Sequence, residues 1–185
     1  MTDPAAYPRQ LERTAMLRDG MRVHVRPIRP DDEPRIVAFH GRLSEDTRYH
    51  RFFSSKERLP PDWAHFFANV DYHRRLALVG ERLVAGEPEL MGVGRYDLTE
   101  EGTAEVAFVV EDRWQDKGLG TILFQDLLQA ADARGILRFR AYVLADNDRM
   151  LRLISRYGNI LEQKTERGVA DILFTRREAE GRTAE

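Results

Sequence analysis

Between an apolar run and an amphipathic stretch near the middle of the chain stand six residues, Gln115-Asp116-Lys117-Gly118-Leu119-Gly120. The run before them, Thr103 to Val110 (TAEVAFVV), reads as a strand. The stretch after them, Thr121 to Arg134, carries Ile122, Leu123, Leu127, Leu128 and Ala131 at helical spacing and ends at Gly135. At a strand-to-helix turn, successive N–H groups form a concave, partly positive nest, and the helix dipole adds to it. Gly118 and Gly120 remove the side chains that would keep an anion away from that backbone. The turn constrains the chain to a fold that mixes strands and helices, and it suits a pyrophosphate.

The rest of the sequence supplies the other elements. Met21 to Pro27 alternates apolar and charged residues, as a half-buried strand does. Asp31-Asp32-Glu33-Pro34 opens a helix to about Leu43, Ser44 caps a second, and Pro60-Pro61-Asp62 opens a third. Strands are expected at Leu76 to Val84, with a turn at Glu87-Pro88, at Leu90 to Tyr96 and at Leu137 to Leu144. Asp146 or Asn147 caps a helix through Tyr157, and Arg167-Gly168 joins two last strands in a hairpin. This order predicts an α/β (α+β) fold with a largely antiparallel sheet of about six or seven strands and about four helices. Residues 1–17 read as an N-terminal arm, 18–176 as one folded domain and 177–185 as a frayed tail.

Composition narrows the function. At 185 residues with a formal charge of -2, the chain lacks the basic footprint of a general nucleic-acid binder. The absence of cysteine removes disulfides, thiolate metal sites and cysteine nucleophiles, and fits a reducing cytoplasm. No apolar stretch approaches membrane-span length and no signal-peptide core is visible. Neither His65 nor His73 has partners at metal-ligand spacing, so no metal is expected.

Three readings of the glycine turn compete. A Rossmann site wants the turn after the first strand and a third glycine, where Thr121 stands. A Walker A loop wants GK followed by Ser or Thr, a string this chain lacks. The third is a plain helix start with two convenient glycines. The segment VVEDRWQDKGLGTILFQDLL, preceded by AEVAF, resembles the acyl-CoA loop of the GNAT superfamily of N-acetyltransferases, and Asn147, Met150, Leu151, Leu153 and Gly158 resemble its second signature. LRDGMRVHVRPIRPDD, LSEDTRYHRFFS and VDYHRRLALVG look like the acetyltransferase domain of Pat-type bacterial protein lysine acetyltransferases.

That resemblance implies a sheet splayed at its central strands and acetyl-CoA as donor. It implies main-chain contacts from Phe108, Val109 and Val110 to the pantetheine arm, and N–H groups from Gln115, Asp116, Lys117, Gly118, Leu119, Gly120 and Thr121 around the pyrophosphate. Asn147 is either a further contact or a plain helix cap. The implied acceptor is a lysine of a protein substrate, such as an acyl-CoA synthetase. The alternatives are a small amine or amino acid, favoured by a narrow acid-lined pocket closed by Arg51 to Asn69, and a non-catalytic acyl-CoA sensor.

Amine attack needs a neutral nucleophile. With a lysine pKa of about 10.4, exposing the lone pair at neutral pH costs about 4–5 kcal/mol. Glu105, the only acid inside Thr103 to Val110, is the candidate base; its structural alternative is a cross-strand pair with Arg95 or another base. An amide of Val109 or Val110 is the candidate oxyanion donor. Ile154 stands where many relatives place a tyrosine, so solvent or the returning base is expected to protonate the thiolate. Trp114 is read as a partly exposed residue beside the loop, Arg48 to Phe53 as helix-end packing, and Arg74-Arg75 as solvated surface.

Overall fold

The computed structural model describes residues 6–54, 56–99 and 101–177; residues 1–5 of the expected arm and 178–185 of the expected tail lie outside the described residues. The strands are β1 Arg13–Met16, β2 Arg22–Pro27, β3 Arg75–Val84, β4 Glu87–Leu98, β5 Thr103–Val110, β6 Arg138–Leu144, β7 Gly158–Glu166 and β8 Val169–Arg176. The helices are α1 Glu33–Arg42, α2 Glu45–Phe52, α3 Pro61–Ala68, α4 Leu119–Asp132 and α5 Asp148–Tyr157. All eight strands join one sheet in the order β1-β2-β3-β4-β5-β6-β8-β7, antiparallel except for β5 beside β6. The mixed α/β class matches expectation, with one more strand and one more helix than the sequence suggested.

A parallel pair needs a crossover, and α4 is that crossover. Pairing of β5 with β6 stops after Thr103↔Arg138, Ala104↔Phe139 and Glu105↔Arg140. Beyond Glu105, β5 stays on β4 as far as Val110↔Gly92, whereas β6 stays on β8 as far as Leu144↔Val169. The sheet is therefore parted from Val106 onward. Aromatic bulk occupies the parting: the Phe108 ring lies 5.1 Å from Phe124, and Phe124 stacks on Phe174 at 6.0 Å. Gly94 makes room, since a Cβ there would stand 2.7 Å from two carbons of the Phe108 ring.

Each face of the sheet has its own core. α4 sets Leu123, Phe124, Leu127 and Leu128 against Leu76, Tyr96, Val106 and Phe139, and each such burial is worth about 1.5–3 kcal/mol. On the other face Ile36 and Phe39 of α1 and Ala64 and Ala68 of α3 cover Ala77, Val79 and Val109. These two helices, with Phe52 of α2, cap the β3–β5 half, and farther along that face Tyr142 of β6 is 41% exposed. Among the described residues no helix is long and apolar enough to cross a membrane.

Three local expectations are corrected. The expected arm contains β1, which pairs with β2, and Ala15 and Leu17 are buried, because their apolar side chains find the open flank of β2. The β3–β4 turn falls at Ala85-Gly86, both with positive φ (51 and 87), and Glu87-Pro88 belongs to β4. A two-residue turn of this hand matches the strand twist. α4 begins at Leu119 rather than Thr121, since Gly118 with φ 94 turns the chain into the helix.

A charged cluster pins β2 to β3. Arg26, 1% exposed, donates to both oxygens of Asp32 (2.7 and 2.8 Å) and both of Glu81 (2.9 and 2.7 Å). Burial works against all three charges, but the paired hydrogen bonds outweigh it: the carboxyls of Asp32 and Glu81 stay below their usual range and the Arg26 guanidinium is raised.

Candidate active site

The parting between β5 and β6 opens into a groove with about 1630 Å³ of space up to open solvent. Phe108, Val109 and Val110 line one side; Gln115, Asp116, Gly118, Gly120 and Thr121 close one end; Asn147, Met150 and Leu153 line the α5 side. The first N–H groups of a helix have no intrahelical acceptor. Among the described residues no backbone carbonyl meets the N–H of Asp116, Lys117, Gly118, Leu119, Gly120 or Thr121, and no side chain caps α4. Positive φ at Asp116 (61) and Gly118 (94) bends these six amides into a nest. Gln115 differs: its N–H donates to the Asp112 carbonyl at 3.3 Å, and its side-chain amide donates to the Val110 carbonyl at 2.9 Å.

Two side chains of the loop turn elsewhere. Lys117 donates to Asp19 at 2.8 Å and is absent from the groove wall, because the β1–β2 turn brings that carboxylate against it. Leu119 is 1% exposed and belongs to the core, so only its backbone is available. Asp116 is held by Arg149 across the mouth of the groove at 2.9 Å.

The second wall comes from α2. Asp112, just after β5, accepts from the Ser44 N–H (2.9 Å), the Ser44 hydroxyl (2.6 Å) and the Thr47 hydroxyl (2.8 Å). These bonds fasten the start of α2 to the strand-to-helix loop and bring Thr47, His50 and Arg51 to the groove. Sequence reasoning treated Arg48 to Phe53 as packing. That holds for Phe52, which meets His40 and Phe67 at 5.4 and 6.1 Å, but not for Arg51. Arg149, Arg152 and Arg156 of α5 also line the groove. Their spacing of three and four residues places them on one helical face, a signal available in the sequence.

Asn147 caps α5, its side-chain oxygen accepting from the Met150 N–H at 3.2 Å, and it also borders the groove. Asn147→Ala is expected to lower stability by about 1 kcal/mol in thermal or urea unfolding. Ile154 is fully buried, so the position of the missing tyrosine faces the core. Tyr157 packs 6.4 Å from Phe124 and borders the groove as well.

Glu105 is the last residue of β5 paired to β6, opposite Asp97 on β4 and Arg140 on β6. It is exposed and makes no ion pair within 4.0 Å among the described residues. Arg95 instead stands opposite Ala107 and donates to Asp97 at 3.3 Å. Glu105 borders a shallow pocket with Thr103, Arg140 and Tyr142 rather than the main groove. The carboxylate therefore stands where the two strands begin to part, on the face left open by the helices.

A second cavity lies under α1, α2 and α3, against β4 and β5, and shares Arg51 and Val109 with the groove. Its walls are mostly apolar, from Phe39, Phe52, Leu59 and Phe67, and it carries Arg51, Arg95 and His40 and no acid. Elsewhere, Trp114 is buried, with Arg82, Arg113 and Lys117 over its ring at 5.0–5.3 Å, rather than partly exposed. Arg75 is no solvated surface residue: it pairs with Asp97 at 2.7 Å and lies 3.6 Å over Phe66. His65 pairs with Glu33 at 2.7 Å, and among the described residues no group of three or more metal-ligating side chains occurs.

The sequence family described as Acetyltransferase (GNAT) matches residues 42–158, which contain the nest, Glu105 and the groove's lining apart from Arg18. An acetyltransferase of Pseudomonas aeruginosa is 32% identical over 143 residues, 77% of each chain. Acetyltransferase Pat of Mycolicibacterium smegmatis is 31% identical over 148 residues; the match covers 78% of this chain and 43% of that longer one. The crystal structure of the GNAT domain of S. lividans PAT superposes with a TM-score of 0.81 at 34% identity, over 91% of this chain and 99% of that one. On sequence and on fold together, this chain belongs to the GNAT family of acetyltransferases.

Proposed function

We propose that the protein transfers the acetyl group of acetyl-CoA to a lysine ε-amine of a protein substrate, with Glu105 as general base. The observation that carries the reading is the coincidence of three features at one parting: amides without acceptors at 116–121, an unpaired flank on β5 beyond Glu105, and an exposed carboxylate where the parting begins. The donor suits the groove. The nest takes the pyrophosphate, with Arg18, Arg149, Arg152 and Arg156 on the surrounding walls for its charge. Phe108 and Val110 offer main-chain groups to the pantetheine, since beyond Glu105 β5 has lost β6 as partner, whereas those of Val109 face Val93 on β4 and only its side chain lines the groove. Lys117 contributes its amide and not its side chain, and Asn147 contacts the donor while capping α5.

The reaction needs little more from the chain. Glu105 takes a proton from the acceptor ammonium, directly or through one water, and the freed lone pair attacks the thioester carbon. The amide of Val110, which the β4 ladder leaves free, stabilises the oxyanion, whereas that of Val109 faces Val93 on β4. As the carbon–sulfur bond breaks, the nitrogen gives up its second proton to solvent and the thiolate takes its proton from the Glu105 carboxylic acid or from solvent. The open face around Glu105 and Tyr142 admits a protein segment, and the likeness to Pat of M. smegmatis and to PAT of S. lividans supports a protein lysine as acceptor. The cysteine-free composition supports a cytoplasmic setting.

Incubating the protein with acetyl-CoA and candidate acyl-CoA synthetases, then mapping ε-acetyllysine by mass spectrometry, tests the acceptor. Modified lysines are expected on at least one synthetase; transfer confined to free amines, with none to any protein, would overturn it. The nest has its own test. Gly118→Ala forces a side chain into φ 94, a conformation that costs an L residue about 1–2 kcal/mol. The Km for acetyl-CoA is expected to rise roughly tenfold with a smaller change in kcat.

A further inference from the structure

The cavity under α1–α3 holds buried polar atoms that nothing in the fold satisfies. Arg95 is 4% exposed and its Nη2 has no hydrogen-bond partner; His40 is also 4% exposed and its Nδ1 has none. Both residues line this cavity. A buried polar group without a partner costs about 1–3 kcal/mol, more when charged, so two in one small cavity call for an explanation. Arg51, at the junction with the donor groove, makes no ion pair or hydrogen bond among the described residues and lies 4.7 Å over the Phe52 ring. Charge balance points the same way. Asp97 serves both Arg75 (2.7 Å) and Arg95 (3.3 Å), and Arg51 has no carboxylate within ion-pair distance among the described residues. Burial, and then the charge of Arg95, push the Arg51 guanidinium down to about 10, with Asp97 and Glu105 the acids that oppose the shift.

We propose that this cavity is a carboxylate subsite for the acceptor, in which Arg95 and Arg51 grip a carboxylate carried on a short apolar stem, His40 donates from Nδ1, and Phe39, Phe52 and Phe67 enclose the stem. The subsite lies between Val109, at the donor groove, and the Arg95–Asp97 stretch of β4 that faces Ala107 and Glu105 on β5. A carboxylate bound there would hold a nearby amine on the side of β5 where Glu105 stands. The inference rests on reading this face as the acceptor side. The carboxylate comes either from an acidic residue beside an acceptor lysine or from a free amino acid. The walls carry no acid to attract a bare amine, which separates this subsite from the acid-lined pocket expected of a simple amine acetyltransferase.

The test begins without catalysis. Hexanoate and hexanamide are titrated into the CoA-saturated protein and followed by protein-observed NMR. Hexanoate is expected to bind roughly 10- to 100-fold more tightly, the range of one or two hydrogen bonds to a charged group. That preference is expected to fall to near unity in Arg95→Met, which leaves Asp97 paired with Arg75. Arg51→Gln, at a half-buried site without partners, should reduce it too, and serves if Arg95→Met fails to fold. Equal binding of the two probes, binding of neither, or a preference retained in both variants would overturn the proposal. A second arm compares lysine peptides bearing Glu or Gln beside the acceptor with free amino acids. Faster acetylation of the Glu peptide identifies an acidic flank. Faster acetylation of free amino acids alone keeps the subsite and removes the protein-lysine reading.

Discussion

Glu105→Gln is expected to lower kcat by 10²- to 10⁴-fold at neutral pH, with the Kd for acetyl-CoA unchanged. A positioned general base contributes about that factor, and the carboxamide keeps the shape of the side chain while losing the ability to take a proton. Glu105 pairs with no base among the described residues and is exposed, so the substitution should leave stability within about 0.5 kcal/mol. Activity of the variant should recover with rising pH as the acceptor amine loses its own proton. Transfer at the wild-type rate would remove Glu105 from the mechanism. Loss of donor affinity would instead make it a binding residue.

Arg26→Ala is expected to cost about 3–5 kcal/mol, the penalty for leaving buried charges without their partner. Among the described residues Asp32, fully buried, keeps only Arg35 and the Arg29 N–H, while Glu81 keeps His24. For a chain of this length the melting temperature should fall by roughly 10 °C or more. The pH dependence has a fixed sign. Both carboxyls are held below their ordinary values of 3.8 and 4.5, so their contribution is complete above that range and is lost as pH falls through the depressed folded values. Below about pH 4 the difference between wild type and variant should shrink, vanishing below the depressed folded values. A difference that stayed constant down to pH 2.5 would show that the cost is lost packing of the Arg26 stem rather than unpaired charge.

The sequence was most informative where local chemistry decides the structure. The glycine turn, the strand before it and the Ser44 and Asn147 caps depend on φ preferences and on neighbours three residues away, and all are found in place. Glu105 stood out because an acid inside an apolar strand is conspicuous. What remained hidden depends on partners far along the chain. The ammonium of Lys117 is tied down by Asp19, 98 residues earlier, which nothing beside Lys117 in the sequence announces. Arg75 looked solvated until Asp97 and Phe66 came to it, and Arg95 read as a partner for Glu105 although the register sets it opposite Ala107. Arg51 sits in a helix whose sequence promises only packing, and its place at the groove follows from Asp112 fastening α2 to the loop. The arginine face of α5 was legible by spacing alone.

The proposed activity depends on the parted strands gripping acetyl-CoA with the carboxylate of Glu105 at the point where they part. A crystal structure of the complex with CoA and a lysine peptide measures this directly. It should show the pyrophosphate on the amides of 116–121, the pantetheine beside Phe108 to Val110, and the acceptor nitrogen within one water of Glu105. Coenzyme bound anywhere outside the β5–β6 parting, or Glu105 too far from the acceptor for a single water to bridge, would contradict it.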